Sequence, residues 1–448
     1  LYIYMKTGIP ILISCPSGLR LHWKGEFKKY TGLEAVVIDK KNRDMKELLK
    51  KHRWNPFFIV SHDIFQKVTG LTGRDEFTLI VDEAHVLKND GKKSKAAQEI
   101  FDRIAENILL LTATPLVNRG SEAFNYLRVL HPNVFTKRAE FQKFFCEGET
   151  DNWGRWKETG IKNVRLFFRL LESVMIKAYK SEVLPELPPK DRFLWEFDNQ
   201  DEDLARDMQK YREYCDKVHP NPTREEQQEI TLQAGALYVK TGICKAKQLM
   251  PFIGGVMRMF SDEKLLIWVK HIEVLDYVSS QIPGSMKLSG DDDEETRRAV
   301  IDMIKDPTHP SRVLVLTVDS CGKGWNIAPG ATIQIFVELM HTYADMYQAE
   351  DRLHRPGMNR RVLSFWTFCN GSRDKRTLDL INDKRSLVDM LLVNKQEKEE
   401  EQDPFVQEYN RKRQKVISDP GFFNQDTAFF SSFMEEEGYP STKRVKVC

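Results

Sequence analysis

Two adjacent carboxylates, Asp82 and Glu83, directly follow a run of strand-favouring residues at positions 78–81. A mostly apolar run without alternation is typical of a strand buried on both faces, as in a parallel sheet covered by helices. Ligands of such sheets lie at the carboxyl ends of the strands, where both acids fall. One acid there can hold Mg²⁺, and its neighbour can orient or deprotonate an attacking water. The pattern equally suits a buried strand that ends in a solvated turn, so these residues alone leave hydrolysis open.

A second polar segment, Thr-Ala-Thr-Pro at residues 112–115, follows another apolar run at 108–111. Asp-Glu-Ala-His on one strand and Thr-Ala-Thr-Pro on the next resemble the second and third signature motifs of superfamily-two helicases and translocases. The segments at 85–89 and 114–118 narrow the resemblance to Swi/Snf-type DNA translocases. It implies that Asp82 and Glu83 handle Mg²⁺ and water. It also implies that His85, Thr112 and Thr114 couple the nucleotide to DNA.

The composition indicates a globular protein of two to three domains, with 448 residues, 41% hydrophobic and 30% charged. The net charge is only +2, so a DNA-binding surface must be a local basic patch. The sequence shows no apolar run of membrane-helix length and no signal peptide. The seven cysteines lie far apart without a Cys-x-x-Cys, which favours a reducing compartment and argues against a cysteine zinc site.

The first half of the chain reads as strands separated by helical stretches, which predicts an α/β parallel sheet. Residues 10–17 resemble the motif Ia of the family, a strand and loop that contact one DNA strand, and a helix N-cap is an equal alternative for Ser17. Residues 57–63 resemble a family strand that ends in Ser-Tyr, with Ser61 in place and His62 replacing the Tyr. We assign His62 no catalytic role. The resemblance implies a RecA-like lobe.

Residues 174–190 resemble the linker between the two lobes of the family, and a second α/β lobe begins near Lys264. A glycine-rich segment resembles motif V, where glycines let the backbone approach phosphate, and it contributes Gly322, Lys323 and Gly324. Residues 348–357 resemble motif VI and include Gln348. Arg352 and Arg355 lie three residues apart, so we expect them to share a helical face. The resemblance makes them arginine fingers for the γ-phosphate.

These segments predict two RecA-like lobes with a helical linker and insertion. Residues 1–170 form the first lobe, 171–258 the linker and a solvated helical insertion, 259–393 the second lobe, and 394–448 a disordered tail rich in acids. The tail contains a Lys-Arg-Val-Lys tetrad at 443–446 that resembles a nuclear-import signal. The order of residues at 141–171 and 237–247 resembles the annealing-helicase, or fork-remodelling, branch of the family.

The phosphate-binding loop Gly-x-x-x-x-Gly-Lys-Ser/Thr does not occur in this sequence. In the family that loop precedes motif Ia by about one helix, and here motif Ia begins at Pro10. We therefore expect a fragment that lacks its N-terminal part, and little or no ATP hydrolysis by the chain as it stands.

The resulting hypothesis is an ATP- and Mg²⁺-dependent translocase on double-stranded or forked DNA, acting in the nucleus, with nucleosomes or replication and repair proteins as partners and no membrane role. Binding is expected to depend on salt and little on sequence. A DNA-binding pseudo-ATPase or scaffold without hydrolysis is the first alternative. A strand-separating or RNA helicase is the second, disfavoured by the residues of the linker and of motif VI.

Overall fold

The computed structural model describes residues 1–65, 67–68, 76–87, 98, 101–103, 105–113, 115–116, 119–150, 156–176, 178, 180–218, 222–318, 325–340, 342–379, 381 and 445–446. The chain divides into two compact units, whose main segments are Leu1–Lys177 and Ala178–Ser386. Within the described residues, no helix is long and apolar enough to cross a membrane.

The first unit contains a five-stranded sheet in which every neighbouring pair is parallel. In sheet order the strands are β2 (Val36–Val37), β3 (Phe57–Ser61), β1 (Ile11–Cys15), β4 (Phe77–Val81) and β5 (Ala105–Leu110). All residues of β1 and β3 are buried, because their apolar runs face helices on both sides of the sheet. This confirms the predicted α/β class for the first half of the chain.

Helices and one hairpin complete this unit. The helices are α1 (Tyr2–Thr7), α2 (Arg20–Thr31), α3 (Met45–Lys51), α4 (His62–Phe65), α5 (Ala123–Leu130), α6 (Arg138–Phe145) and α7 (Val164–Val174), and the hairpin pairs β6 (Cys146–Thr150) with β7 (Trp156–Ile161). Short 3₁₀ turns cover Ser17–Leu19, Ala84–Leu87 and Gly120–Glu122. Helix α2 ends at Gly32, whose φ of 71° places it in the left-handed region that glycine tolerates.

The second unit contains a seven-stranded sheet, parallel except at one edge. In sheet order its strands are β10 (Met286–Leu288), β11 (Val313–Thr317), β9 (Leu265–Val269), β12 (Ile333–Phe336), β13 (Val362–Asn370), β8 (Lys190–Asp198) and β14 (Val445–Lys446). Its helices are α8 (Lys180–Val183), α9 (Glu202–Lys217), α10 (Arg224–Met259), α11 (Ile272–Gln281), α12 (Glu294–Lys305) and α13 (Tyr343–Glu350). A second parallel α/β sheet was predicted here, and the structure confirms it.

The structure differs from the sequence prediction in the segment 171–258, which we expected to be a linker and a solvated insertion. Strand β8 lies inside that segment and pairs with β13 over its full length, from Lys190 opposite Val362 to Asp198 opposite Asn370. The C-terminal half of α10 packs into the core of the second unit, where the rings of Trp195 and Phe252 stack with centroids 4.6 Å apart. The sequence prediction missed the buried C-terminal half of α10 because the first residues of this helix are mostly charged.

Some predicted features fall outside the described residues. They are Thr114, Gly322, Lys323, Gly324 and the tail from residue 394, apart from Val445 and Lys446. These two residues pair antiparallel with β8, at the position of the basic tetrad.

Candidate functional site

The carboxyl edge of the first sheet brings together three of the predicted segments. Ser61 lies opposite Cys15, and Val81 lies opposite Ser14, so β1, β3 and β4 end at the same level. Asp82 continues β4 by one residue, since its backbone N–H donates to the carbonyl oxygen of Ser14 at 2.8 Å. The carboxylates therefore lie where parallel sheets bind their ligands.

Asp82 is held in place by two neutral donors. The indole Nε1 of Trp23 donates to its Oδ2 at 2.8 Å, and the backbone N–H of Glu83 donates to its Oδ1 at 2.9 Å. Burial raises the pKa of Asp82 above its ordinary value. Trp23 lies on α2, the helix that follows the segment resembling motif Ia, and Ser14 of that segment accepts the backbone N–H of Asp82, so both bonds tie the expected magnesium ligand to this part of the chain.

Glu83 occupies a strained turn. Its φ of 48° lies in the left-handed region, which non-glycine residues adopt rarely and at a cost of about 1–3 kcal/mol. A carboxylate oxygen of Glu83 lies 3.1 Å from Nδ1 of His85. The next residue, Ala84, donates its N–H to the carbonyl oxygen of Leu111 at 2.9 Å. The turn that carries both acids is thus bonded to the residue immediately before Thr112, which joins the second and third motifs through the backbone.

The two serines expected to contact DNA differ in accessibility. Ser17 is exposed and lies within a 3₁₀ turn whose N-cap residue is Pro16, so the alternative prediction that Ser17 caps a helix is wrong. Ser61 is only 2% exposed, because it is the last residue of β3, an interior strand of the sheet. Its side chain is less accessible to a phosphate than that of Ser17.

His62 is a neighbour of this site that sequence reasoning treated as packing. Its Nδ1 lies 2.9 Å from the hydroxyl of Ser14, and the ring lies beside the backbone of Asp82. Burial lowers the pKa of His62 to about 4, so the imidazole is neutral at pH 7. The only signal in the sequence was its position directly after β3, next to Ser61.

The motif VI residues of the second unit lie at the end of a helix and in the turn after it. Helix α13 ends at Glu350, so the expectation that Arg352 and Arg355 share a helical face is wrong. Gln348 lies on α13 and is 8% exposed. Arg352 is 2% exposed, its Nη1 lies 3.4 Å from the carbonyl oxygen of Trp325, and Arg355 is more accessible.

A cluster of opposite charges precedes the two arginines. Glu350 is fully buried and accepts hydrogen bonds from Nζ of Lys190 at 2.7 Å and Nε of Arg192 at 2.7 Å. Asp351 accepts from Nζ of Lys190 at 2.7 Å and Nζ of Lys180 at 2.6 Å. Burial alone would raise the pKa of Glu350, but the charges of Arg192 and Lys190 outweigh it and hold the pKa below its usual range. We name Lys180, Lys190, Arg192, Glu350 and Asp351 the ion cluster.

Comparison with known proteins was made for the whole chain. A sequence profile described as the SNF2-related domain matches residues 2–229, half of the 448 residues. The chain is 26% identical over 410 residues to the "DNA annealing helicase and endonuclease ZRANB3" of Homo sapiens, covering 89% of this chain and 37% of that protein. It is 26% identical over 399 residues to a Caenorhabditis elegans homolog of "SWI/SNF-related matrix-associated actin-dependent regulator of chromatin subfamily A-like protein 1", covering 86% and 56%.

The chain therefore spans between about a third and just over half of the length of these relatives. Among solved structures, the "Sulfolobus solfataricus SWI2/SNF2 ATPase core in complex with dsDNA" matches with 17% identity and a TM-score of 0.37. That match covers 88% of this chain and 86% of the other.

Proposed function

The chain belongs to the SNF2-related domain family, and from this premise we propose that it is part of an ATP-dependent translocase on double-stranded DNA. The observation that carries the proposal is the position of Asp82 and Glu83. They follow a buried central strand of a parallel sheet, and hydrogen bonds join their turn to the segments that resemble motif Ia and motif III. This arrangement links a hydrolytic centre to the parts of the chain expected to contact DNA.

The residues at this edge suit Mg²⁺. Within the described part of the chain, no three His, Cys, Asp or Glu side chains are arranged to hold a metal ion. Mg²⁺ in nucleotide sites uses one or two carboxylates and the substrate phosphates rather than an all-protein cage, which fits Asp82 and Glu83. The bound ion would neutralise charge on the phosphates. Asp82 would hold it, directly or through water, while Glu83 orients the attacking water and accepts its proton.

The remaining predicted residues extend this proposal. Arg352 and Arg355 bring positive charge to the nucleotide phosphates, and a guanidinium fork suits that task. Nucleotide contacts are proposed for His85, Gln348, Gly322 and Gly324, and coupling or DNA contacts for Ser17, Ser61, Thr112, Thr114 and Lys323. Contacts of this kind to phosphate carry no sequence information, so binding should depend on salt far more than on sequence.

Two finer proposals rest on the relatives. The similarity to a DNA annealing helicase favours forked DNA, on which strands can be annealed, as the substrate, and the proposed partners are nucleosomes or replication and repair proteins. The basic tetrad at 443–446 favours the nucleus.

The decisive experiment measures ATP hydrolysis by the full-length protein with and without duplex DNA. We expect stimulation by DNA that is lost in Asp82→Asn and Glu83→Gln and retained in Lys287→Gln, which removes a charge from an exposed ion pair elsewhere. DNA binding without any stimulated hydrolysis would refute the enzyme and support the pseudo-ATPase alternative. Strand separation on RNA duplexes, without translocation on DNA, would refute the choice of substrate.

A further inference from the structure

We propose that Lys180 and Lys190 are positioning residues that hold the turn carrying Arg352 and Arg355. The proposal rests on the function proposed above, because it assigns a mechanical role to residues around the motif VI arginines. Sequence resemblance assigned these two lysines only to a linker.

Lys180 contacts the arginine turn on both sides of Arg352. Its Nζ donates to Oδ2 of Asp351 at 2.6 Å and to the carbonyl oxygen of His354 at 2.8 Å. Arg352 lies between these two acceptors in the sequence, and Arg355 follows directly. Nε of Arg355 in turn donates to the carbonyl oxygen of Asp351 at 3.1 Å. One ammonium group therefore bonds to residues on both sides of Arg352, and the second of them, His354, directly precedes Arg355.

Lys190 adds hydrogen bonds at the end of α13. Its Nζ bridges Oε2 of Glu350 and Oδ1 of Asp351, at 2.7 Å each. The backbone of the same region is held further by Gln334, whose Nε2 donates to the carbonyl oxygen of Glu350 at 3.0 Å. His354 adds another tie, because its Nε2 lies 2.7 Å from the carbonyl oxygen of Pro188, two residues before Lys190. The segment 180–190 thus contacts the arginine turn at several points.

Because of the position of Lys180 in the fold, its effect on the turn can be tested separately from the general stability of the second unit. It lies on α8, a helix of four residues, and among the described residues none of the buried apolar side chains lies on that helix, where Val183 is 60% exposed. The Lys180 side chain is itself 33% exposed. The ammonium group of Lys180 donates to Asp351 and to the carbonyl oxygen of His354, so we expect its replacement to release the turn while the second unit keeps its core.

The test compares Lys180→Gln, Lys180→Arg and Lys287→Gln in the full-length protein. Lys287 pairs with Asp276 at 2.9 Å on the surface of the same unit, which makes it a matched control. We expect Lys180→Gln to lower kcat for DNA-stimulated ATP hydrolysis by about 10- to 100-fold, since small misplacements of catalytic groups have effects of that order. The KM for DNA should change less than twofold. Lys180→Arg, which keeps a charged donor, should recover most of kcat.

A second measurement needs no activity. Hydrogen exchange of peptides covering residues 351–358 should be at least fivefold faster in Lys180→Gln without nucleotide, while the Tm stays within about 2 °C of wild type. Unchanged exchange in this turn would overturn the proposal, and so would an unchanged kcat or a large general loss of Tm. A wild-type protein without stimulated hydrolysis would refute the proposed function, and the exchange measurement would still decide the role of Lys180.

Discussion

Replacement of Glu350 by glutamine tests whether the ion cluster depends on the buried carboxylate. The Glu350 side chain is 0% exposed, and those of Lys190 and Arg192 are 11% exposed each. Glu350→Gln keeps the shape of the side chain and removes its charge. Lys190 and Arg192 then remain in a poorly hydrated site without the carboxylate charge of Glu350. Removing one partner of a buried ion pair destabilises a protein strongly, because it leaves the other charge buried and uncompensated.

The size of the expected loss in the free energy of unfolding depends on the contacts that Lys190 and Arg192 keep. Loss of one partner of a buried pair costs about 3–5 kcal/mol. Lys190 keeps its hydrogen bond to Asp351, and Arg192 keeps its place 5.2 Å from the ring centroid of Trp366. Both residual contacts favour the lower limit, so we expect a loss of about 3 kcal/mol in the free energy of unfolding. For a unit of roughly 200 residues this corresponds to a fall in Tm of about 6–12 °C.

Calorimetry of the full chain measures the loss, and hydrogen exchange assigns the transition to the second unit. Asp276→Asn, at the exposed pair with Lys287, is the control and should change stability by less than about 0.5 kcal/mol. A loss below about 1 kcal/mol in Glu350→Gln would refute the reasoning, because it would mean that Asp351 and a neutral glutamine compensate the two cations nearly as well as Glu350 does.

The same comparison has a defined pH dependence. The pKa of Glu350 is lower in the folded protein than in the unfolded chain, so its contribution is fully present above the unfolded value of about 4.3. It is lost as the pH falls from there towards the depressed folded value. The stability difference between wild type and Glu350→Gln should therefore be constant from pH 5 to 8 and shrink below about pH 4. If the stability difference between wild type and Glu350→Gln shrank already between pH 7 and 5, that would contradict a lowered pKa of Glu350.

Two further predictions concern residues elsewhere in the chain. A Cβ added at Gly242 of α10 would lie 2.6 Å from a carboxylate oxygen of Glu338, so Gly242→Ala should lower the free energy of unfolding by about 1–3 kcal/mol. Gly235 lies on the same helix with open space around an added Cβ, so Gly235→Ala should raise the free energy of unfolding by about 0.5–1 kcal/mol. Urea unfolding that gives both variants the same sign would contradict this. Trp23→Phe removes the indole donor from Asp82 and should raise the Mg²⁺ concentration for half-maximal ATPase about tenfold, and an unchanged Mg²⁺ titration would show that the hydrogen bond does not matter.

Buried strands were the part of this fold that the sequence could predict. The strand expected at 78–81 is observed as Phe77–Val81, and the one expected at 57–63 as Phe57–Ser61, because mostly apolar runs have few alternatives to the interior of a parallel sheet. Strand β8 was missed because its charged residues Lys190 and Arg192 resemble a solvated linker. Their partners lie about 160 residues later in the sequence, so no local pattern reveals that they are buried.

The end of α13 was missed for a related reason. The spacing of Arg352 and Arg355 fits a helix, and local propensity gave no signal to stop at Glu350. In the structure, the N–H of Arg352 bonds to the carbonyl oxygen of Ala349, three residues back, which tightens the last turn. Pro356 then disfavours the helical conformation for the residue before it. Lys190 and Arg192 of β8 bind the carboxylates that end the helix, and a contact between residues so far apart in the sequence cannot be predicted from neighbouring residues.

Two acidic pairs in this chain have opposite electrostatic environments, and this separates their roles. The partners of Asp82 are the Trp23 indole and a backbone amide, both neutral, and burial raises its pKa. A carboxylate in that condition gains from a cation, and Mg²⁺ with a nucleotide would supply one. Glu350 already has Arg192 and Lys190, and its pKa is lowered. It has nothing to gain from another cation, so we expect the acids of motif VI to position the turn, and the chemistry proposed for this motif to fall to its arginines.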